Sequence, residues 1–523
     1  MKIIKIPAIG VLALIMCMGC GQPARNAEGQ AIADSSIEHG RALAATYCGS
    51  CHLLPDPDLL NKVSWEKGVL PAMGPRLGIF EFRHQHYPSY AFDPNVGFGF
   101  YPSKPLLTDW QWKEVIDYYS GLAPDSMPPQ PEHEAIAKGP PIFQAVAPPA
   151  GRKNPVTCYV HVDTSGGRKQ IVTAGMFPGT IMRYDAQLRQ LDSTPVTGGI
   201  VDVQYMGDSM IVCNIGNINP NNLKLGSLSV LRYDRAGHLR QDSLPFIRDL
   251  ARPVQVTAVD LNGDHLTDYL VCEFGHQKGA LSWYENKGNG SFERHVLRAE
   301  PGAIRAYVRD ANGDGLPDIW ALFAQGDEGI FLFTNKGNGR FEEQRILRFP
   351  PIYGSSYFEL ADFNKDGFPD IVYTCGDNGD YSPVFKPYHG VYIFMNDGQN
   401  HFTQSFFYPI NGCYKAMARD FDGDGDLDLA TMAYFADYGN RPEEGFVYLQ
   451  NEGSMQFKPY SLPATQVGRW LAMDAGDLDG DGKPDILLGN FSMGPSLSRG
   501  KQNWKNGPPF LLLRNVAGSP KPR

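Results

Sequence analysis

A surplus of basic residues is the first thing missing from this 523-residue sequence. Lys and Arg number 47 against 57 Asp and Glu, a net charge of −10, so there is no electrostatic reason for it to bind nucleic acid or an anionic membrane surface. Long apolar runs are missing as well. The stretch "MKIIKIPAIGVLALIMCMGCGQPARN" at the start is too short to span a bilayer comfortably, which excludes an ordinary transmembrane helix. Cysteine is sparse, with 9 residues, and after Cys48 and Cys51 the next is Cys158. A zinc ribbon therefore lacks its second ligand pair. A βαβ setting for a thioredoxin-type disulfide is absent, and no catalytic constellation is visible. What is present is 42% hydrophobic and 12% aromatic content, in a chain long enough for about two to four domains.

The start has Lys2 and Lys5, an apolar stretch and a Gly19-Cys20 junction, the pattern of an export signal. It resembles a bacterial lipoprotein signal, with residues 1–19 as the signal peptide and Cys20 as the lipidated first residue of the mature chain. Cys17 stands where Leu is usual, and ordinary cleavage without lipidation is the alternative. The resemblance implies an exported protein, lipid-anchored to the bacterial cell envelope (periplasm or outer membrane), with residues 20–35 as a polar linker.

Export narrows the meaning of "TYCGSCHLLPDPDLL". C-x-x-C-H attaches haem c: two thiols add to the vinyl groups and the adjacent histidine presents its imidazole to the iron. Upstream, "IEHGRALAATYCGSCH" reads as an amphipathic helix running into the clip. Downstream, "LLTDWQWKEVIDYYSGLAPD" reads as a closing helix, capped by Thr108 or Asp109, with Trp110, Val115, Ile116, Tyr119 and Leu122 at near-helical spacing. With Gly40 and Tyr47 where a small residue and an aromatic are usual, residues 36–128 resemble a class I cytochrome c domain, a small all-α unit. The resemblance implies one covalent haem c held by Cys48 and Cys51, with His52 as proximal ligand. Met73 is the first choice for the distal ligand, through its spacing from Trp65; His84, His86 and Met127 are the alternatives. A methionine ligand suits electron transfer rather than oxygen chemistry.

Residues 129–140 are proline-rich and read as a linker. Beyond them five segments align without gaps, beginning at Asp260, Asp310, Asp362, Asp420 and Asp477. A repeat of that size, with four short strands in each copy, predicts propeller blades. Two degenerate copies upstream, around Asp163 and Asp202, bring the number to seven. The last copy ends without a fourth strand, and "IFQAVAP" at 142–148 is predicted to supply it by pairing the two chain ends, which removes an exposed edge. The expected fold is therefore multidomain: the small helical domain, then an all-β seven-bladed propeller over 141–518.

The spacing D-x-[DN]-x-D-x-x-x-D places oxygens around one centre, as a hard cation requires, without the Glu of an EF-hand. Up to five calcium ions are expected. Their proposed ligands are Asp260, Asn262, Asp264 and Asp268; Asp310, Asn312, Asp314 and Asp318; Asp362, Asn364, Asp366 and Asp370; Asp420, Asp422, Asp424 and Asp428; and Asp477, Asp479, Asp481 and Asp485. These repeats resemble the FG-GAP or VCBS family, the calcium-looped blades also found in integrin heads, which implies fold and metal but no substrate.

Long loops between second and third strands are the expected binding face. Tyr381, His389, Tyr434, Asp437, Tyr438, Arg441, Lys501 and Trp504 are its candidate residues, and Arg305, Lys415 and Arg469 are candidates for a positive channel mouth. The five propeller cysteines are expected as buried thiols, with a Cys213–Cys272 bridge as the alternative. The functional expectation is a membrane-tethered monohaem cytochrome for electron transfer. Its propeller would dock an envelope redox protein or bind a small-molecule ligand. The alternatives are a propeller dehydrogenase feeding the attached haem, and an adhesion or carbohydrate-binding protein.

Overall fold

The structure is a computed structural model that describes residues 24–140, 142–149, 153–241, 244–498, 500 and 502–518. The expected signal peptide, Cys20 and Lys501 lie outside the described residues. Seven antiparallel sheets follow one another along the chain: blade 1 (157–195), blade 2 (200–250), blade 3 (253–298), blade 4 (303–348), blade 5 (355–409), blade 6 (413–461) and blade 7 (470–515). The strand patterns explain the layering. Middle strands such as Gly329–Asn335 are buried along nearly their whole length and read as continuous apolar runs, whereas outer strands such as Phe341–Arg348 are exposed or half-buried throughout.

The two chain ends close the ring. Strand Phe143–Val146 pairs antiparallel with Phe510–Asn515, in a register that sets Phe143 opposite Asn515 and Val146 opposite Leu512. Blade 7 therefore takes its outermost strand from the start of the propeller. The proline-rich stretch before it is not a free tether either. Ala137–Lys138 adds a parallel strand to the edge of Phe457–Ser461 in blade 6, and His133 reaches Tyr408 Oη (3.1 Å) and Glu444 (3.6 Å).

Ahead of the ring, helix Asp34–Tyr47 packs against helix Asp109–Leu122. Their crossing depends on Gly40: a Cβ there would lie 1.9 Å from the Glu114 carbonyl oxygen and 2.8 Å from Tyr118 Cβ. The second helix opens on a capping box, with Thr108 accepting from the Gln111 backbone and Gln111 reaching back. Its buried face differs from the expected one. Trp112, Val115 and Tyr119 are buried while Trp110 and Leu122 are exposed, because the close approach at Gly40 fixes the rotation of the helix.

This region is not purely helical and not self-contained. It includes a hairpin, Glu81–Phe82 against Gln85–His86, and residues 24–33 fold onto it, with Ile32 buried and the Ala27 amide donating to Glu66 (2.9 Å). Its apolar core also takes in Ile352 and Val384 from the propeller. Polar contacts follow the same boundary: Arg76 donates to Gln277 (2.6 Å), Asn222 to Asp93 (2.9 Å) and Tyr388 Oη to the Leu59 carbonyl (3.0 Å). Gln277, Asn222 and Tyr388 all sit on loops between second and third strands. The helical region therefore covers the propeller face on which ligand binding was expected.

Deleting residues 142–148 removes the closing strand and exposes the apolar edge of Phe510–Asn515. Thermal unfolding followed by circular dichroism is expected to lose its single cooperative transition, or to shift it down by more than about 5 °C, the shift that ~4 kcal/mol gives in a domain of this size.

Candidate functional site

Two constellations carry chemistry. The first is the clip. Helix Asp34–Tyr47 delivers the cysteines, with the Cys48 amide still donating to the Ala44 carbonyl (2.9 Å). Cys48 is half-buried, its thiol pushed up to about 11 by burial and by neighbouring Cys51, which is exposed. His52 Nδ1 lies 3.0 Å from the Leu53 carbonyl oxygen. A proton held there leaves Nε2 with its lone pair outward, and burial lowers the affinity of the ring for a second proton. A neutral imidazole of fixed tautomer is the form that ligates a metal.

The distal candidates separate. Trp65 is buried, donates to the Pro57 carbonyl (2.7 Å) and packs on Tyr119, so it anchors the segment that ends in Met73. Met73 closes the one-turn helix Leu70–Met73 and is half-buried, as is Met127. His84 and His86 are exposed on the hairpin, and His86 pairs with Glu81 (3.3 Å).

The second constellation is the set of loops joining first to second strands in blades 3–7. Each first aspartate caps its own loop: Asp260 accepts from the Gly263 and His265 amides (2.8 Å each), and Asp477 from Gly480 and Gly482 (2.6 and 2.9 Å). The ninth-position aspartates Asp268, Asp318, Asp370, Asp428 and Asp485 are buried, and both oxygens of each accept backbone amides. One amide comes from the second loop residue; the other comes from the asparagine ending the third strand, as in Asp318 with Ala311 (2.9 Å) and Asn335 (2.7 Å). The ninth position is thus a structural clamp first. Any metal bond at these residues uses lone pairs left over from it.

Charge separates the loops into two groups. Asp420, Asp422 and Asp428 bring ligand oxygens within 4.8 Å of one another, as do Asp477, Asp479 and Asp481. In the other three loops the third position is asparagine, whose Nδ2 donates to the next aspartate: Asn262 to Asp264 (3.0 Å), Asn312 to Asp314 (3.0 Å) and Asn364 to Asp366 (2.8 Å). A hydrogen bond there replaces one negative charge. Burial, with neighbouring acids adding to it, pushes Asp428 and Asp485 up to about 6. An all-oxygen donor set whose carboxylates resist ionisation on their own fits a hard divalent cation.

The expected binding-face residues are mostly structural. Tyr434 Oη donates to the Met493 carbonyl, Tyr438 Oη to Ala433 (2.8 Å), Asp437 accepts from Asn440 (2.8 Å), Arg441 pairs with Glu444 (3.2 Å), and Trp504 packs on Tyr438. His389 is fully buried, while Tyr381 is exposed. Among the three expected channel cations, Arg469 spends its guanidinium on the Tyr434, Met493, Gly494 and Pro495 carbonyls. Arg305 lies over Tyr307 and Tyr357, in the field of Asp202. Lys415 donates to the Met473 carbonyl (2.7 Å), its pKa lowered to about 8 by burial and Arg305. With Asp202, Glu359 and Asp474 beside them, these cations do not make a free positive mouth. All five propeller cysteines are buried and unbridged.

An FG-GAP-like repeat model matches residues 260–321, 310–373 and 433–488. The chain carries a seven-bladed β-propeller with FG-GAP repeats. It is 34% identical over 141 residues to integrin alpha-PS3 of Drosophila melanogaster, a match covering 22% of this chain and 13% of that protein. It is 24% identical over 435 residues to cartilage acidic protein 1 of Homo sapiens, covering 72% and 64%. The chain thus spans less than two thirds of either relative. Among solved structures it is similar to that of BBS1N in complex with ARL6DN, at 12% identity and a TM-score of 0.44, over 72% of this chain and 98% of that one.

In the calcium-free protein Asp428 and Asp485 hold their protons up to about pH 6. Because their folded values lie above the unfolded one, the stability they contribute is fully present below about pH 4 and is lost as pH rises through about 6. In chelator, the melting temperature is expected to fall between pH 5 and pH 7, and added calcium to reverse the fall; a melting temperature indifferent to calcium at pH 7 contradicts the assignment.

Proposed function

We propose that the chain is an exported, membrane-tethered c-type cytochrome that transfers electrons, with a calcium-stabilised propeller as its docking and binding module. The observation that carries this reading is the clip: two thiols and an imidazole in C-x-x-C-H, at the end of a helix locked by Gly40 against the helix Asp109–Leu122. Haem, when attached, supplies one-electron chemistry. Cys48 and Cys51 hold it, the Leu53 carbonyl fixes the tautomer of His52, and Trp65 anchors the segment that presents Met73. Up to five calcium ions are assigned to the propeller loops, tightest at the two all-aspartate loops around Asp422 and Asp479.

The likeness to integrin alpha-PS3 supports a second reading, a binding or adhesion role for the propeller. With the helical region lying over the second-to-third-strand loops, such a role falls to the calcium-loop face and the outer rim. The two readings are compatible, since a docking module is itself a binding module.

The test is the intact mass and visible spectrum of the chain produced in a bacterium able to mature c-type cytochromes. The expected result is one covalently bound haem, absent when Cys48 and Cys51 are both replaced by Ser, and a ferric methionine–iron charge-transfer band that disappears in Met73→Ala. A colourless, unmodified polypeptide with both thiols free overturns the reading.

A further inference from the structure

Beside the clip, between blades 4 and 5, lies a cavity of about 480 Å3. The connection joining these blades has two sides. Ile352 is buried in the core that reaches Cys48, while Arg348, Phe349 and Tyr353 line the cavity. Tyr388, another wall residue, donates its hydroxyl to the Leu59 carbonyl (3.0 Å), seven residues after His52.

The walls are aromatic and ordered as a stack. Tyr388 lies on Tyr353 with centroids 4.5 Å apart and planes 16° from parallel, Tyr353 is 18° from Phe349, and Phe349 lies on Tyr373 at 4.0 Å and 11°. Phe407 faces the cavity from the outer strand of blade 5. At these spacings the rings cover one another's faces, so a planar ligand ring meets the column at its edges, in edge-to-face contact. The volume is that of an ordinary small-molecule site.

The polar lining is spare. Arg348 is the only charged residue among the described residues of the wall, and no carboxylate lines it. Its Nε donates to Asp327 (2.8 Å), which also pairs with Arg298 (3.1 Å) and Arg345 (2.6 Å). Asp327 is therefore saturated, and with Glu343 on Arg298 the group still holds three guanidiniums against two carboxylates. The terminal nitrogens of Arg348 donate to nothing among the described residues, so two N–H groups in fork geometry remain for an acceptor. A sugar would need several polar partners, and of the four tyrosine hydroxyls of the wall those of Tyr373, Tyr388 and Tyr392 are already hydrogen-bonded to Ser355 and to the Leu59 and Tyr388 carbonyls.

We propose that this cavity is a binding site for a small planar aromatic carboxylate, its ring packed against the edges of the Phe349–Tyr353–Tyr388 column and its carboxylate on Arg348. The assignment goes beyond the electron-transfer reading and stands without it, because it requires neither haem nor calcium.

The test is isothermal titration calorimetry of the full chain with benzoate, against phenol and cyclohexanecarboxylate. Benzoate is expected to bind one to one, with phenol and cyclohexanecarboxylate each weaker by roughly tenfold or more. Arg348→Gln leaves Asp327 two arginines and is expected to weaken benzoate by a similar factor while binding of phenol is unchanged. Should that variant fail to fold, Phe407→Ala removes one wall ring outside the charge network and is expected to weaken benzoate and phenol alike. Absence of benzoate binding, equal binding of cyclohexanecarboxylate, or unchanged affinity in Arg348→Gln overturns the proposal.

Discussion

Five buried carboxylates hold the repeating part of this molecule together. In blades 3 to 7 the ninth-position aspartate accepts one amide from its own loop and one from the asparagine that ends the third strand, as Asp370 does with Phe363 and Asn396 (2.9 Å each). That asparagine continues outward. Asn335 donates to the Leu261 carbonyl of the preceding blade (3.0 Å), and Asn515 does the same to Phe421 (2.7 Å). A buried charge is expensive unless hydrogen-bonded, and here each one fixes a loop, a strand end and, in these two cases, a neighbouring blade. Where the clamp is lost the loop changes character: blade 2 turns between first and second strands through Gly207 and Asp208, with no acidic loop at all.

The same frame sets the acidic loops and the helical region on opposite faces. First-to-second-strand loops lie on one face and carry the acids; second-to-third-strand loops lie on the other and carry Asn222, Gln277, Tyr381 and Tyr388 to the helical region. Negative charge is thereby concentrated away from the clip. Near the clip the local balance reverses, with Arg298, Arg345 and Arg348 around Asp327. The polypeptide that closes the ring also runs from one part to the other, since residues 137–138 edge blade 6 before residues 143–146 complete blade 7.

Much of the fold was legible because it depends on local spacing. The five acidic loops, the degenerate first two blades and the closing strand at 142–148 follow from period and from strand patterns that survive when the acids do not. Tertiary constraints were not legible. Trp110 and Trp112 are two residues apart on a helix, and which of them is buried depends on the approach at Gly40. Tyr434, Tyr438 and Asp437 looked like loop residues open to solvent, and Arg469 like a cation at the channel mouth; in the folded chain they satisfy backbone groups that would otherwise be buried unpaired. The dual role of Asp428 and its equivalents was hidden for the same reason, since the partner asparagine stands 17 to 30 residues further along the chain. The aromatic stack beside the clip had no signal in either period or motif, because its rings come from the connection between two blades, from one strand of the second blade and from that blade's loop between second and third strands.

A potentiometric titration of the purified full chain, followed in the visible spectrum, tests the central claim most directly. The account predicts a single reversible one-electron wave, with a midpoint that drops when Met73 is replaced by a residue unable to ligate iron. A chain that shows no reducible chromophore after maturation would contradict it.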